Sequence, residues 1–468
     1  MKESEENFEI TAFSEYKNVQ SQYTDTFIKA SRCVKIGETE KSVEVAVSEK
    51  SKVNIKVLER AHYPKEIVIK KVKDSDFAEF IGKFVEKVLE KKNKKEKEEK
   101  SIRLEEVNSK APAVNAINSI CLEAIRKKAS DIHIQAGKES VDVRMRIDGV
   151  LQTVRKLDKS IFNTISSRIK VMAALNLMEN RLCQDGRMSV EAEGKKIDLR
   201  VSIVPSVMGQ NIVLRLFKPE SEDLTLEKLG FSKENLEKIQ KALHLPNGMI
   251  LATGPTGSGK TTTLHAMIGE MDIEHLKIVT IEDPVEKQID GIEQIQVNEA
   301  IGLTFGNILR RVLRQDPDVI MIGEIRDSET AELAVRSALT GHLILSTLHT
   351  NDSVGAVSRL KNLGIEAYLI SGVLRESIAQ RLVRKICKEC KGKGCENCGN
   401  TGYKGRTAVS EVFHIDEEIS QIIEDGKNVM DIRKFLGKRN FKDIRYDAKE
   451  KVKAEITDEE EIKREGLF

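Results

Sequence analysis

Apolar residues recur with three different spacings along this 468-residue chain, and the points where the spacing changes divide it. In SVEVAVS (42–48) and EIVIKKV (66–72) they alternate with polar ones, which predicts strands; DFAEFIGKFVEKVLE (76–90) carries the three-to-four spacing of an amphipathic helix. These elements make a small α/β module within residues 1–90, after a polar lead-in of about forty residues that fits no element. Residues 86–100 are charged at all but three positions, so they cannot bury a face, and 91–110 is expected to be a linker.

A second pattern starts near Ala111. VNAINSICLEAIRKKA has helical spacing, and SDIHIQA, SVDVRMRIDG and KIDLRVSIVP alternate between Gly and Asp punctuation, predicting an α/β domain with an antiparallel sheet over 111–221. From residue 222 the alternation stops. Short runs that are apolar throughout (GMILAT, KIVTI, DVIMI, HLILST) are separated by helical stretches, the signature of a mostly parallel sheet covered on both faces, expected over 222–385. A cysteine-rich segment at 386–405 and a charged, helix-prone region at 406–468 complete the chain.

Composition narrows the function classes. With 40% hydrophobic residues the chain can bury several cores. Its 77 basic and 75 acidic residues nearly cancel, and aromatics are 4% with no Trp, which disfavours a general nucleic-acid binder or a base-stacking platform. No apolar run approaches the ~18 residues a membrane span needs. The acidic, polar opening MKESEENFEI is not expected to be a signal peptide, so a cytoplasmic setting is expected.

Within ILATGPTGSGKTTTLHAM, the segment Gly254-Pro255-Thr256-Gly257-Ser258-Gly259-Lys260-Thr261-Thr262 lies between an apolar strand and a helical run. Glycines let backbone N–H groups wrap a polyphosphate at a helix N-terminus. Lys260 then reaches the terminal phosphates and the Thr261 hydroxyl ligates Mg2+, so ATP with Mg2+ is the expected ligand. Beyond the C-terminal ends of other strands stand Glu282, Asp283 and Glu286 (IVTIEDPVE), Glu324 (MIGEIRD) and His349 (LILSTLHTND). Glu324 occupies a position just past where a metal-directing Asp usually stands, and it can act through a bridging water or on the attacking water. Glu282 is a second candidate base, and His349 is placed to sense the γ-phosphate. Taken one at a time, each is most often a surface or capping residue; their convergence on one sheet edge is what predicts hydrolysis.

Cys387-x2-Cys390 and Cys395-x2-Cys398 form two knuckles separated by four residues. Four thiolates give a closed tetrahedral Zn2+ site with Zn–S near ~2.3 Å and no open position, hence a structural one. Gly392 and Gly394 make the sharp reversal feasible. A reducible disulfide pair, a metal-free cluster and an iron–sulfur cluster are the alternatives. Cys33, Cys121 and Cys183 are scattered and carry no motif.

GPTGSGKTTTL, VTIEDPVE, LRQDPDVIMIGEIRD and TGHLILSTLHTND resemble, in order and spacing, the Walker A, Asp box, Walker B and His box of the type II secretion and type IV pilus assembly ATPases. SDIHI, RMRIDG, QDGR, DLRVS and NIVLRL resemble that family's preceding domain, and the paired cysteines its metal motif. The likeness is strong over 111–410 and weak over 40–90. In that family Walker B ends in Gly-Glu, as Gly323-Glu324 does here. The resemblance implies a RecA-like motor working as a homohexameric ring, with each site completed by Arg200 and Arg215 of the preceding domain and by Arg310, Arg314 and Arg326 of the motor domain. It implies a cytoplasmic ring, peripheral at the inner membrane, that drives an inner-membrane platform protein and docks on a membrane-anchored partner through its N-terminal module. The retraction members are generally shorter and lack both that module and the tetracysteine cluster, which points to an assembly motor. Two departures, Cys183 where Pro is common in RLCQDGR and Gln210-Asn211 where Glu-Arg is common, fall in the preceding domain. A ring ATPase acting on DNA and a non-catalytic nucleotide sensor are the competing readings; near-zero net charge disfavours the first, and Lys260, Thr261 and Glu324 oppose the second.

Overall fold

The computed structural model describes residues 31–39, 41–51, 53, 55–63, 65–74, 77, 102–103, 112–192, 195–217 and 225–467. The polar lead-in up to residue 30, the expected helix over 76–90 apart from Phe77, and the charged linker apart from residues 102–103 lie outside them. The chain divides into two compact units, residues 1–100 and 101–468.

In the first unit β1 (Cys33–Glu38), β2 (Ser42–Ser48) and β3 (Glu66–Val72) form a sheet in that order, β1–β2 antiparallel and β2–β3 parallel, with a helix over Ile55–His62 as the crossover. Cys33, Val43, Val45 and Leu58 make its small core. The alternation in SVEVAVS becomes a sheet with one buried face, and Cys33 is used as a small apolar side chain.

The second unit holds two seven-stranded sheets. The first contains β4 (Ile102–Arg103), β5 (Asp131–Ala136), β6 (Ser140–Ile147), β7 (Val150–Asp158), β8 (Gln184–Ala192), β9 (Lys195–Ser206) and β10 (Gly209–Leu216), in the order β4-β8-β9-β10-β5-β6-β7. All pairs are antiparallel except β4–β8. Ile132, Ile134, Val143, Met145, Leu199, Val201, Ile212 and Leu214 point to one face, where helices Pro112–Arg126 and Phe162–Met172 cover them. The residues between them face the other way. A period of two therefore buries one face and leaves a polar one.

The second sheet contains β11 (Gly248–Thr253), β12 (Ile278–Glu282), β13 (Glu293–Gln296), β14 (Val319–Ile322), β15 (Leu343–Leu348), β16 (Leu374–Ile386) and β17 (Tyr403–His414), in the order β13-β12-β14-β15-β11-β16-β17. It is parallel up to β16, and β17 closes it antiparallel. Met249 and Leu251 enter one core and Ile250 and Ala252 the other, so both faces are dry and the strands lose their alternation. The expectation of a helical region from residue 406 needs correction. Residues 403–414 are a strand of this sheet, and the helices begin at Glu417. Seven consecutive positions of β17, Thr407 to Phe413, are buried, so its sequence shows none of the alternation that marks an exposed strand. The sheet thus extends past residue 385 on both sides of the cysteine segment. Among the described residues no helix is long and apolar enough to cross a membrane.

Candidate active site and metal centre

At the C-terminal end of β11 the chain turns through Gly254, Gly257 and Gly259, with φ of +142°, +80° and +89°. A Cβ on Gly254 would sit 2.6 Å from the Gln380 carbonyl and from the Ser258 hydroxyl, so only Gly fits. Gly259 caps the helix Lys260–Gly269, whose free N–H groups face the loop. Lys260 is buried, and its Nζ donates to the carbonyls of Gly254 (2.9 Å) and Pro255 (3.0 Å), lying inside the turn where terminal phosphates would enter. Burial lowers the Lys260 pKa and the nearby Glu324 opposes that shift. The Ser258 hydroxyl is buried with no partner, an orphaned donor in the cradle. These features fit a polyphosphate. Thr261, in the first turn of the helix, and Glu324 are the oxygens that would take Mg2+ directly or through water.

Glu324, just past β14, is mostly buried and ion-paired with Arg326, and His349 Nε2 lies 3.9 Å from its carboxylate. Burial, and then the Lys260 charge, hold His349 below its usual pKa, so it is a neutral ring at pH 7. Lys260, Glu324, Arg326 and His349 therefore form one cluster across three strand ends. Glu282 is different. It is 2% exposed, and its carboxylate accepts from Thr280 Oγ1 (2.7 Å) and Gln294 Nε2 (3.0 Å) and lies 3.0 Å from His265 Nε2. Burial pushes its pKa up, but the His265, Thr280 and Gln294 hydrogen bonds outweigh that and hold it below the usual range. Asp283 and Glu286 are exposed.

Among the described residues, Arg200, Arg215, Arg310 and Arg314 make no bond to the phosphate loop. Arg215 Nε instead donates to Asp131 (2.9 Å), Arg310 pairs with Glu329 (2.7 Å), and Arg200 and Arg314 are exposed with no ion pair among the described residues.

Two residues that sequence reasoning missed brace the site from β16. Gln380, 1% exposed, donates to the Ser258 carbonyl (2.7 Å) and accepts from Thr263 Oγ1 (2.8 Å). Its neighbour Arg381 donates to the Asn351 carbonyl (3.0 Å), beside His349. The signal in the sequence was an adjacent Gln-Arg pair inside the otherwise apolar run SIAQRLV.

The four motif cysteines lie in the turn joining β16 to β17, with Sγ atoms all within 4.8 Å of one another. Cys387–Cys395, Cys390–Cys398 and Cys395–Cys398 are separated by 3.9, 3.8 and 3.7 Å. A tetrahedron with ~2.3 Å Zn–S bonds has edges of ~3.8 Å, so the set fits Zn2+. Backbone N–H groups of Gly394, Cys395 and Gly402 point at the sulfurs of Cys390, Cys398 and Cys398 at 3.2, 3.2 and 3.3 Å, which stabilises thiolates. Gly392 and Gly394 have φ of +87° and +90°, as the tight reversal requires. None of the seven cysteines is in a disulfide; Cys121 is buried and its thiol is pushed up to about 12, leaving it inert.

Residues 106–464 match the family described as Type II/IV secretion system protein. The chain is 44% identical over 377 residues to Type II secretion system protein E of Dickeya dadantii (strain 3937), 76% of each chain being covered. It is 42% identical over 379 residues to Type II secretion system ATPase E of Vibrio cholerae serotype O1, covering 76% of this chain and 75% of that one. Among solved structures it is similar to the pilus retraction motor PilT with bound ADP (TM-score 0.53, 29% identity, 74% of this chain and 96% of that one). The Legionella pneumophila ATPase DotB shares the fold (TM-score 0.62, 24% identity, 78% and 98% covered).

Proposed function

The chain belongs to the Type II/IV secretion system protein family and is a secretion ATPase; from that premise we propose that it works as a cytoplasmic homohexamer, a RecA-like motor that hydrolyses ATP to drive assembly of a secretion pseudopilus or type IV pilus through an inner-membrane platform protein. The observation that carries this reading is the cluster of Lys260, Glu324, Arg326 and His349 beside the glycine turn at the end of β11.

Lys260 neutralises charge on the terminal phosphates. Thr261, and Glu324 through a water, would hold Mg2+, which would supply further charge neutralisation when bound. Glu324 aligns a water whose oxygen attacks the γ-phosphorus as the bond to the bridging β-oxygen breaks. The departing proton passes to Glu324, which Arg326 holds in place. His349, neutral at pH 7, donates a hydrogen bond to the γ-phosphate. Arg200 and Arg215, presented by the antiparallel sheet, and Arg310 and Arg314 complete a neighbouring subunit's site with rigid guanidinium forks. Cys387, Cys390, Cys395 and Cys398 would hold Zn2+ in a closed structural site that would fix the turn between β16 and β17. The N-terminal module docks on a membrane-anchored partner, which makes the ring peripheral to the inner membrane.

Lys260→Ala should abolish turnover. Glu324→Gln should still bind ATP but turn it over about 10²-fold more slowly, measured by phosphate release from purified protein. Wild-type turnover in Glu324→Gln would remove that residue from the chemistry and leave Glu282 as the base. Saturating single- or double-stranded DNA should leave turnover unchanged; strong stimulation would instead favour a DNA motor.

A further inference from the structure

Pairing register in the antiparallel sheet brings three arginines side by side. Arg187 on β8 is opposite Arg200 on β9, Arg200 is opposite Arg215 on β10, Arg215 is opposite Asp131 on β5, and Asp131 is opposite Arg146 on β6. Directly opposite residues in a sheet project from the same face. Here that face is the polar one, because Met188, Leu199, Val201 and Leu214 are buried on the other. Arg187, Arg200 and Arg215 are all exposed, and neither Arg187 nor Arg200 has an ion pair among the described residues. Asp131 is the one acid in the row. It is buried, bonded by Arg215 Nε at 2.9 Å and lies 3.7 Å from Arg146. Held through Nε, Arg215 keeps its two terminal nitrogens for another partner.

Like charges directly opposite each other destabilise a sheet, and three consecutive guanidinium groups repeat that cost; Asp131 bonds one end of the row, while Asp185 and Asp198, diagonal to Arg200 and Arg187 on the same face, form no ion pair with either among the described residues. Such a row is stable when a polyanion lies across it. Strands ~4.8 Å apart put the outer two of the three about 10 Å apart, long enough to follow a chain of phosphates. We propose that Arg187 is a third arginine acting on the neighbouring subunit's nucleotide. With Arg200 and Arg215 it forms a continuous guanidinium track for the triphosphate, in which Arg187 is the outermost contact. This rests on the reading that Arg200 and Arg215 act in trans, so the test must separate the two. The bland alternative is that the Arg187 stem merely covers the sheet face.

The experiment uses the full-length chain with Arg187→Gln, Arg187→Lys and Arg200→Gln, each assayed alone and mixed in equal amounts with Lys260→Ala. Thermal melting and gel filtration show whether each variant folds and assembles. Arg187→Gln should lose at least tenfold in turnover with an unchanged melting temperature, and Arg187→Lys should recover part of it. On mixing, Lys260→Ala subunits supply intact arginines to the phosphate loops of Arg187→Gln subunits, so about a quarter of the sites in randomly mixed rings become complete. A covering role would not respond to mixing. Wild-type turnover in Arg187→Gln, with Arg200→Gln impaired and rescued by mixing, would overturn the inference and leave the trans reading intact. Loss in Arg187→Gln without rescue, while Arg200→Gln is rescued, also overturns it, because Arg187 would then act within its own chain. Failure of both variants to be rescued would overturn the trans reading and this inference with it. A misfolded Arg187→Gln is replaced by Arg187→Lys, for which the same outcomes decide.

Discussion

Replacing Gln380 by Leu tests whether the phosphate loop is held from beneath by β16. Leu keeps most of the side-chain volume in a site that is 1% exposed, so the change removes polar partners without opening a large cavity. Two groups lose their partner, the Ser258 carbonyl and the Thr263 hydroxyl. The hydroxyl can turn to the Gly259 carbonyl one helical turn back, to which the Thr263 N–H already donates at 3.0 Å. The carbonyl has no such recourse, and an unsatisfied buried acceptor costs about 1–3 kcal/mol. If nucleotide binding must restore the loop at that cost, affinity falls about tenfold, since each 1.4 kcal/mol is a factor of ten. Gln380→Glu should be worse than Leu, because it sets a buried carboxylate against the Ser258 carbonyl. Urea unfolding followed by circular dichroism reads the stability, and calorimetric titration with ATP reads the affinity. If Gln380→Leu unfolds within about 0.5 kcal/mol of wild type and binds ATP within about twofold, the brace is ornamental and the reasoning fails. The opposite ranking of Glu and Leu would fail it equally.

Three further outcomes are expected. Purified protein should be colourless and contain about one Zn2+ per chain; Cys395→Ser with Cys398→Ser should lose it while turnover by the motor core largely survives, and a brown protein or retained zinc would refute the assignment. Glu461 is fully buried between Arg384 and Arg464; burial pushes its pKa up, but those hydrogen bonds outweigh it and pull it down to about 2. Its contribution is therefore present above the ordinary carboxyl value and lost as pH falls towards 2, so acid titration watched by circular dichroism should show a transition in wild type that is blunted in Glu461→Gln. His349 stays neutral at pH 7, so His349→Gln should keep more turnover than His349→Lys in steady-state assays at that pH, and equal losses would argue against a neutral donor.

Much of this was legible in the sequence, for identifiable reasons. The strands of the parallel sheet announced themselves because both faces are dry: all six residues of β11 are buried, and a short apolar run bounded by Gly and polar segments suits a strand covered on both sides. The phosphate loop was legible because its glycines and Lys260 are consecutive. The metal turn was legible because all four ligands fall within twelve residues. What stayed hidden depends on pairing between distant segments. Gln380 reaches the loop only because β16 lies beside β11, with Thr253 opposite Ala379. β17 looked like part of a helical tail because both of its faces are covered: Phe413 enters one core, Val412 a second and Val409 a third, so its seven buried positions show no alternation. Arg187, Arg200 and Arg215 were each visible as residues, but their alignment is a property of register. Glu282 was read as a base from its place at a strand end, and its engagement with His265 comes from the packing of the Lys260–Gly269 helix.

β16 ties the chemistry to the metal hairpin more directly than the chain order implies. Its residues Gln380 and Arg381 touch the two loops that carry Lys260 and His349. Three residues on, Arg384 is locked by Glu461 at 2.7 Å and stacks over the Tyr403 ring at 4.0 Å, and the Tyr403 hydroxyl donates to Asp458 at 2.6 Å. Cys387 follows at once and is buried, its N–H donating to the Gly402 carbonyl at 2.8 Å. At ~3.3 Å per residue in an extended strand, the seven steps from Gln380 to Cys387 span about 23 Å. β16 is paired with β11 only as far as Ala379, and from there to Ile386 it is held by β17 alone as one arm of a hairpin, which still bends less readily than a loop. A shift at the phosphate loop therefore has to move the whole strand or break Gln380's two bonds. The Glu461 lock fixes Arg384 at the far end, and the four-cysteine turn would add to that stiffness once it holds a metal, so displacement at the phosphate loop is expected to reach the turn along the β16–β17 pair.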